Sequence, residues 1–150
     1  MKMKLLITVL LFAYGCKTQK ANWQSIDFGA FKLEAPEHWK KFTVQGIDSY
    51  IGGVTNGQDS LWFDYGWYSP QLEMNSDPAY NYQQDTINGL VAYIQVPKVD
   101  GNGSVRLSIP HVNDKDKFHM QGRDFAGSDT VLQIFRSLVF KERDSTGNDK

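Results

Sequence analysis

The sequence predicts an α+β fold: a largely antiparallel β-sheet, built as a meander, with a C-terminal helix packed on one face. Three patterns predict it. Apolar and polar residues alternate over 31–35 and again over 105–109, the period-two signature of a half-buried strand. Asn88-Gly89, set between 85–87 and the apolar run 90–96, is a strong hairpin signal. Val131, Ile134, Phe135 and Leu138 recur at i, i+3, i+4 and i+7, one stripe of a helix. Strands in succession followed by a single helix suit an α+β arrangement.

The elements follow in order. Residues 23–28 read as a first strand. Over 31–35, Phe31, Leu33 and Ala35 face one way against Lys32 and Glu34. Pro36 ends that strand, and Pro36-Glu37-His38-Trp39 is a turn with one large apolar anchor. Residues 50–54 form a strand stopped by Asn56-Gly57. In the aromatic stretch 61–68, Leu61, Phe63, Tyr65 and Trp67 share one face and are assigned to the core. Trp62, Asp64, Gly66 and Tyr68 share the other face. Residues 70–81 are loop-like, broken by Pro70, Asn75-Ser76-Asp77 and Pro78, and lead into Tyr80 and Tyr82. The run 90–96 reads as a central strand buried on both faces. Asp100-Gly101-Asn102-Gly103 makes a turn, Val105, Leu107 and Ile109 alternate with Arg106 and Ser108, and 113–117 is a charged turn. Phe118 and Met120 then point inward. Ser128 or Asp129 caps the helix, and Leu138-Val139-Phe140 leaves it as a short strand. The domain runs over 23–140, with 141–150 a polar tail.

No catalytic residue, metal ligand or cofactor site is assigned. There is no Gly-x-Ser-x-Gly elbow, no His-Glu-x-x-His and no glycine-rich phosphate loop before a helix. His111, Asp114, Asp116 and His119 could all bind a metal, but they surround a turn, and strand parity sends His119 away from Phe118 and Met120, towards solvent. A charged, solvated turn accounts for them. Asp100-Gly101-Asn102-Gly103-Ser104 imitates the start of a calcium loop, yet the positions that need glycine and glutamate hold Val105 and His111. Asp64 could meet Glu73 or Asp77 as paired carboxylates. The candidate binding face is Trp62, Asp64 and Tyr68, extended by Tyr80 and Tyr82: rings for stacking beside a hydrogen-bond acceptor suit a sugar or a protein anchor. The competing reading has the loop after Pro70 fold over those rings and bury them.

The chain has 150 residues, 16 basic and 17 acidic, for a formal charge of −1. That balance gives no argument for nucleic acid. Residues 1–15 combine Lys2 and Lys4, an apolar run and small residues at Ala13 and Gly15, the layout of a secretory signal. The run is about ten residues, where a membrane-spanning helix needs roughly twenty. Cys16, the single cysteine of the sequence, follows at once. Ala13-Tyr14-Gly15-Cys16 resembles the lipobox of bacterial lipoproteins, with Ala13 where leucine is commonest and Tyr14 a large residue for its place. The resemblance implies that Cys16 becomes the first mature residue and carries lipid, and that 16–22 is a tether. Several acyl chains anchor stably where one is marginal. No acidic run follows Cys16. In lineages where such a run directs lipoproteins to the cell surface, its absence implies an outer-membrane protein facing the periplasm.

A second resemblance rests on Phe31, Leu33, Pro36 and Trp39 (F-x-L-x-x-P-x-x-W), on the Asn-Gly hairpin, and on the closing segment of Val131, Leu132, Ile134, Phe135, Ser137, Leu138 and Phe140. Together these look like the PsbP/Mog1-like fold, over most of 23–140. The matching positions are core and turn residues, so the likeness implies a fold and transfers no site. The expected function is a non-enzymatic, lipid-anchored envelope module with an envelope protein or glycan as partner. A glycan-binding lipoprotein using the aromatic face is the alternative, and a hydrolase built from distant residues is third.

Overall fold

The computed structural model describes residues 22–74 and 77–141. The elements run β1 (Trp23–Asp27), β2 (Phe31–Pro36), β3 (Lys40–Val44), β4 (Tyr50–Thr55), β5 (Ser60–Gly66), β6 (Tyr80–Ile87), β7 (Leu90–Pro97), β8 (Ser104–Ile109), β9 (Lys117–Arg123), α1 (Asp129–Arg136) and β10 (Val139–Phe140). The expected signal segment, Cys16 and nearly all of the tether lie outside the described residues, as does the tail after Lys141. No helix of the described residues is long and apolar enough to cross a membrane.

The strands make two antiparallel sheets. A large one has the order β3-β4-β5-β9-β8-β7-β6, and a small one the order β1-β2-β10. The broad α+β expectation holds; the single sheet does not. The reason lies in β2, whose alternate residues Phe31, Leu33 and Ala35 are completely buried. A strand that apolar on one face is stabilised by lying on another sheet's face, not by lengthening its edge. Phe31 accordingly packs edge-on against Phe63 of β5 and Phe118 of β9, with ring centroids 4.9 and 5.0 Å apart.

Helix α1 completes that layer. Val131, Ile134 and Phe135 are buried on its inner stripe. Its C-terminal Ser137 Oγ accepts the Glu34 N–H of β2 at 2.8 Å, while Arg136 Nε donates to Asp85 Oδ2 of β6 at 3.0 Å. The helix therefore sits between the small sheet and the far edge of the large one. Ser128 occupies the N-cap position but makes no cap hydrogen bond. Its hydroxyl donates instead to Asp100 Oδ1, and Asp129 supplies the acidic first turn that suits the helix dipole.

Strand periodicity was a better guide to faces than to lengths. At the β6–β7 hairpin, Asn88 and Gly89 have φ of +51° and +76°, the paired left-handed conformation that a two-residue turn requires. Two strands, however, extend beyond expectation. β3 has no strong alternation, and β6 starts at Tyr80, inside the stretch expected to be loop. Both are edges of the large sheet, where burial imposes little pattern. β7 is not buried on both faces, since Val91 is 47% exposed. Trp67 is not core either. A turn closed by the Ser69 N–H on the Gly66 carbonyl ends β5 before it, leaving Trp67 56% exposed.

Candidate functional site

The small sheet and α1 cover one face of the large sheet, so attention falls on the other. Register fixes what is there. Trp62 of β5 lies opposite Gln121 of β9, Gln121 opposite Arg106 of β8, Arg106 opposite Gln95 of β7, and Gln95 opposite Tyr82 of β6. In the adjacent row Asp64 lies opposite His119, His119 opposite Ser108, and Ser108 opposite Tyr93. Cross-strand neighbours stand about 5 Å apart. The two rows form one polar surface with an aromatic ring near each end.

Trp62 is placed by its neighbours on β3 and β4. Gly53 separates it from Phe42 in the register, and without a side chain there the rings meet over the backbone, edge to face at 4.6 Å. A Cβ at Gly53 would collide with the Leu61 carbonyl and the Phe42 ring. Phe42 supports one side of the indole, which remains 46% exposed.

The chain after β5 returns across this surface. Ser69 Oγ donates to the Asp64 carbonyl at 2.8 Å and helps fold the segment back. Residues 70–73 then line a pocket of about 390 Å³ whose other walls are Gln95, Arg106, His119 and Gln121. The connection to β6 thus passes over the polar rows.

Three buried side-chain atoms here have no hydrogen-bond partner: Asp64 Oδ1, Arg106 Nε and His119 Nδ1. They are the ones of that kind among the described residues, and all three belong to this outer face. His119 is only 7% exposed. Burial holds its pKa below the ordinary 6.5, and the positive charge of Arg106 acts the same way. A hydrogen bond with Gln121 and the nearby Asp64 carboxylate oppose that shift.

Several expectations change. His119 does point away from Phe118 and Met120, but the 70–73 segment buries it, so it is not a solvated turn residue. His111 and Asp114 stay exposed on the turn before β9. Asp116 is buried and accepts from Asn113 Nδ2 at 2.9 Å. Among the described residues no three His, Cys, Asp or Glu side chains are grouped to hold a metal ion. Tyr68 lies in the turn beyond β5, 72% exposed, off the strand rows that carry Trp62. Tyr80 and Tyr82 are four strands from β5, about 19 Å. Tyr82 shares the Trp62 row but stands at its opposite end. Glu73 reaches the pocket, whereas Asp77 remains in the turn before β6, its Oδ1 accepting from Ala79 N–H.

Asp64, His119 and Ser108 in one row are the residue types of a nucleophilic triad. Asp64 Oδ1 and His119 Nδ1 nevertheless carry no hydrogen bond, and Ser108 is 1% exposed. The orienting contact between carboxylate and imidazole through these atoms is not made. Sequence reasoning missed Arg106, Gln95 and Gln121. Their parity was legible, but which strands bring them beside Trp62 depends on sheet order.

A second concavity, an open groove of about 680 Å³, lies at one end of the sheet between the β3–β4 loop and the turn after β5. Ile47 at its tip is 98% exposed. No protein-family model matches this chain, and no curated protein matches it.

Proposed function

We propose that this chain is a non-enzymatic, lipid-anchored binding module of the cell envelope. It has a PsbP/Mog1-like fold, is tethered through Cys16 to the outer membrane on its periplasmic side, and meets another envelope component with the outer face of its large sheet. One observation carries the binding face: Asp64, Arg106 and His119 each hold an unpartnered buried atom in adjoining strands, beside a half-exposed Trp62. Leaving such an atom unpaired costs about 1–3 kcal/mol. Atoms of this kind gathered at one place find partners in what binds there. Support for the fold comes from the residues of the resemblance: Phe31, Leu33 and Trp39 are core, as are Ile134, Phe135 and Leu138. Support for the anchor is the lone cysteine directly after a short apolar run.

Two measurements test this. Cys16→Ser should lose lipid labelling and leave the membrane pellet; wild-type recovery there with labelling intact would remove the anchor. Cross-linking in intact cells should trap an envelope component on the wild type and far less on Trp62→Ala or Arg106→Gln. Equal trapping by all three would remove the face.

A further inference from the structure

Resting on the reading that the outer face is the binding face, we infer that the pocket under residues 70–73 takes an uncharged sugar unit of a glycan, with Trp62 stacking on the next unit. The chemistry of the open valences selects this ligand. On the pocket wall the Arg106 guanidinium can only donate and the Glu73 carboxylate can only accept, while a neutral His119 ring carries one nitrogen of each kind. An ionised carboxylate has nothing to donate to the Glu73 carboxylate and is repelled by it, and an ammonium has nothing to accept from the guanidinium. A hydroxyl does both at once, and a sugar ring carries several at fixed spacing.

Charge points the same way. On the pocket wall Arg106 brings one formal positive charge and Glu73 one negative, with Asp64 opposite His119 in the register. Burial keeps His119 towards its neutral form. The wall thus has no net formal charge to draw in an anion or a cation. The remaining wall is rich in amides, Gln71, Gln95 and Gln121, which donate and accept equally. At about 390 Å³ the pocket falls within the roughly 300–1,000 Å³ of small-molecule sites.

Trp62 supplies the apolar half of the recognition. It stands one strand from Gln121, about 5 Å away across the sheet, with Phe42 behind it. A flat, supported and half-exposed ring suits the C–H face of a pyranose. The pocket binds hydroxyls and the indole binds the neighbouring ring, so the ligand is an oligosaccharide longer than one unit.

The test is calorimetric titration of the full lipidated chain in detergent with tetrasaccharides of glucose, mannose, galactose and N-acetylglucosamine, with a uronic-acid tetrasaccharide and with inorganic phosphate. At least one neutral tetrasaccharide should bind, and the uronate and phosphate should not. Trp62→Ala and Arg106→Gln should each weaken binding by about tenfold or more, while His111→Ala, on the exposed turn, should leave it unchanged. Arg106→Lys keeps the charge without the guanidinium fork and guards against a misfolded Arg106→Gln. Preference for the uronate or phosphate, undiminished binding in the Trp62 and Arg106 variants, or no saccharide binding would overturn the inference. If no saccharide binds but Trp62-dependent cross-linking persists, the ligand class fails and the binding face stands. If both are lost, both fail.

Discussion

Trp62 and Phe63 are neighbours in the chain and opposites in the fold. Phe63 points inward, 1% exposed, and meets Phe28, Phe31, Tyr50 and Phe118. Trp62 points outward, 46% exposed, with Phe42 as its ring neighbour. The contrast extends along the strands: Met120, Leu107 and Ile94 line the inner face, Gln121, Arg106 and Gln95 the outer. The inner face is held by apolar burial and ring packing. The outer face holds unpartnered buried atoms that packing does not explain. One sheet thus divides an apolar core face from a polar outer face by residue parity alone.

The largest expected effect is on the inner side. Phe63→Ala should leave a cavity and cost about 3–5 kcal/mol by chemical denaturation, and Ile134→Ala about 2–5 kcal/mol. A loss under 1 kcal/mol for Phe63→Ala, by the same scale, would mean that the faces do not divide as described.

Acid should reveal the outer face next. His119 has a folded pKa below its ordinary 6.5, so the unfolded chain takes the proton first. Its contribution is therefore complete above 6.5 and is lost as pH falls through the folded value. Asp27 and Asp85 are held below 3.8 by hydrogen bonds from Lys141 and Arg136, and their contributions go only at lower pH. Melting temperature should start to drop below pH 6.5 in the wild type and drop less steeply above pH 3.8 in His119→Gln. Identical profiles would show that His119 is not buried next to Arg106 and Asp64.

Smaller effects sharpen the contrast. Trp62→Ala gives up its contact with Phe42 and should cost about 0.5–1.5 kcal/mol beyond its modest burial. Arg136→Ala breaks a partly exposed ion pair to Asp85 and should cost less than about 1 kcal/mol. A larger loss there would mean that α1 depends on this pair more than on its buried stripe.

Where burial enforces a pattern, the sequence was readable. Leu61, Phe63 and Tyr65 alternate because one face is core, and the α1 stripe repeats because one side is buried. Edge strands β3 and β6 lack that constraint, and their polar residues conceal them. Trp67 misled because alternation cannot announce the turn that ends a strand. Half of the site was legible: Trp62 and Asp64 were placed on the outward face by parity. Arg106, Gln121 and His119 come to them through β8 and β9, more than forty residues later in the chain, and Tyr68 departs through a local turn. Contacts made by sheet order leave no local trace.

The most direct test measures folding and binding in the same pair of variants. Wild type, Trp62→Ala and Phe63→Ala would be compared for melting temperature and for cross-linking to the proposed envelope partner. Trp62→Ala should melt well above Phe63→Ala and lose cross-linking, while Phe63→Ala should lose most of its stability. Equal destabilisation by the two, or full cross-linking by Trp62→Ala, would contradict the division between the faces.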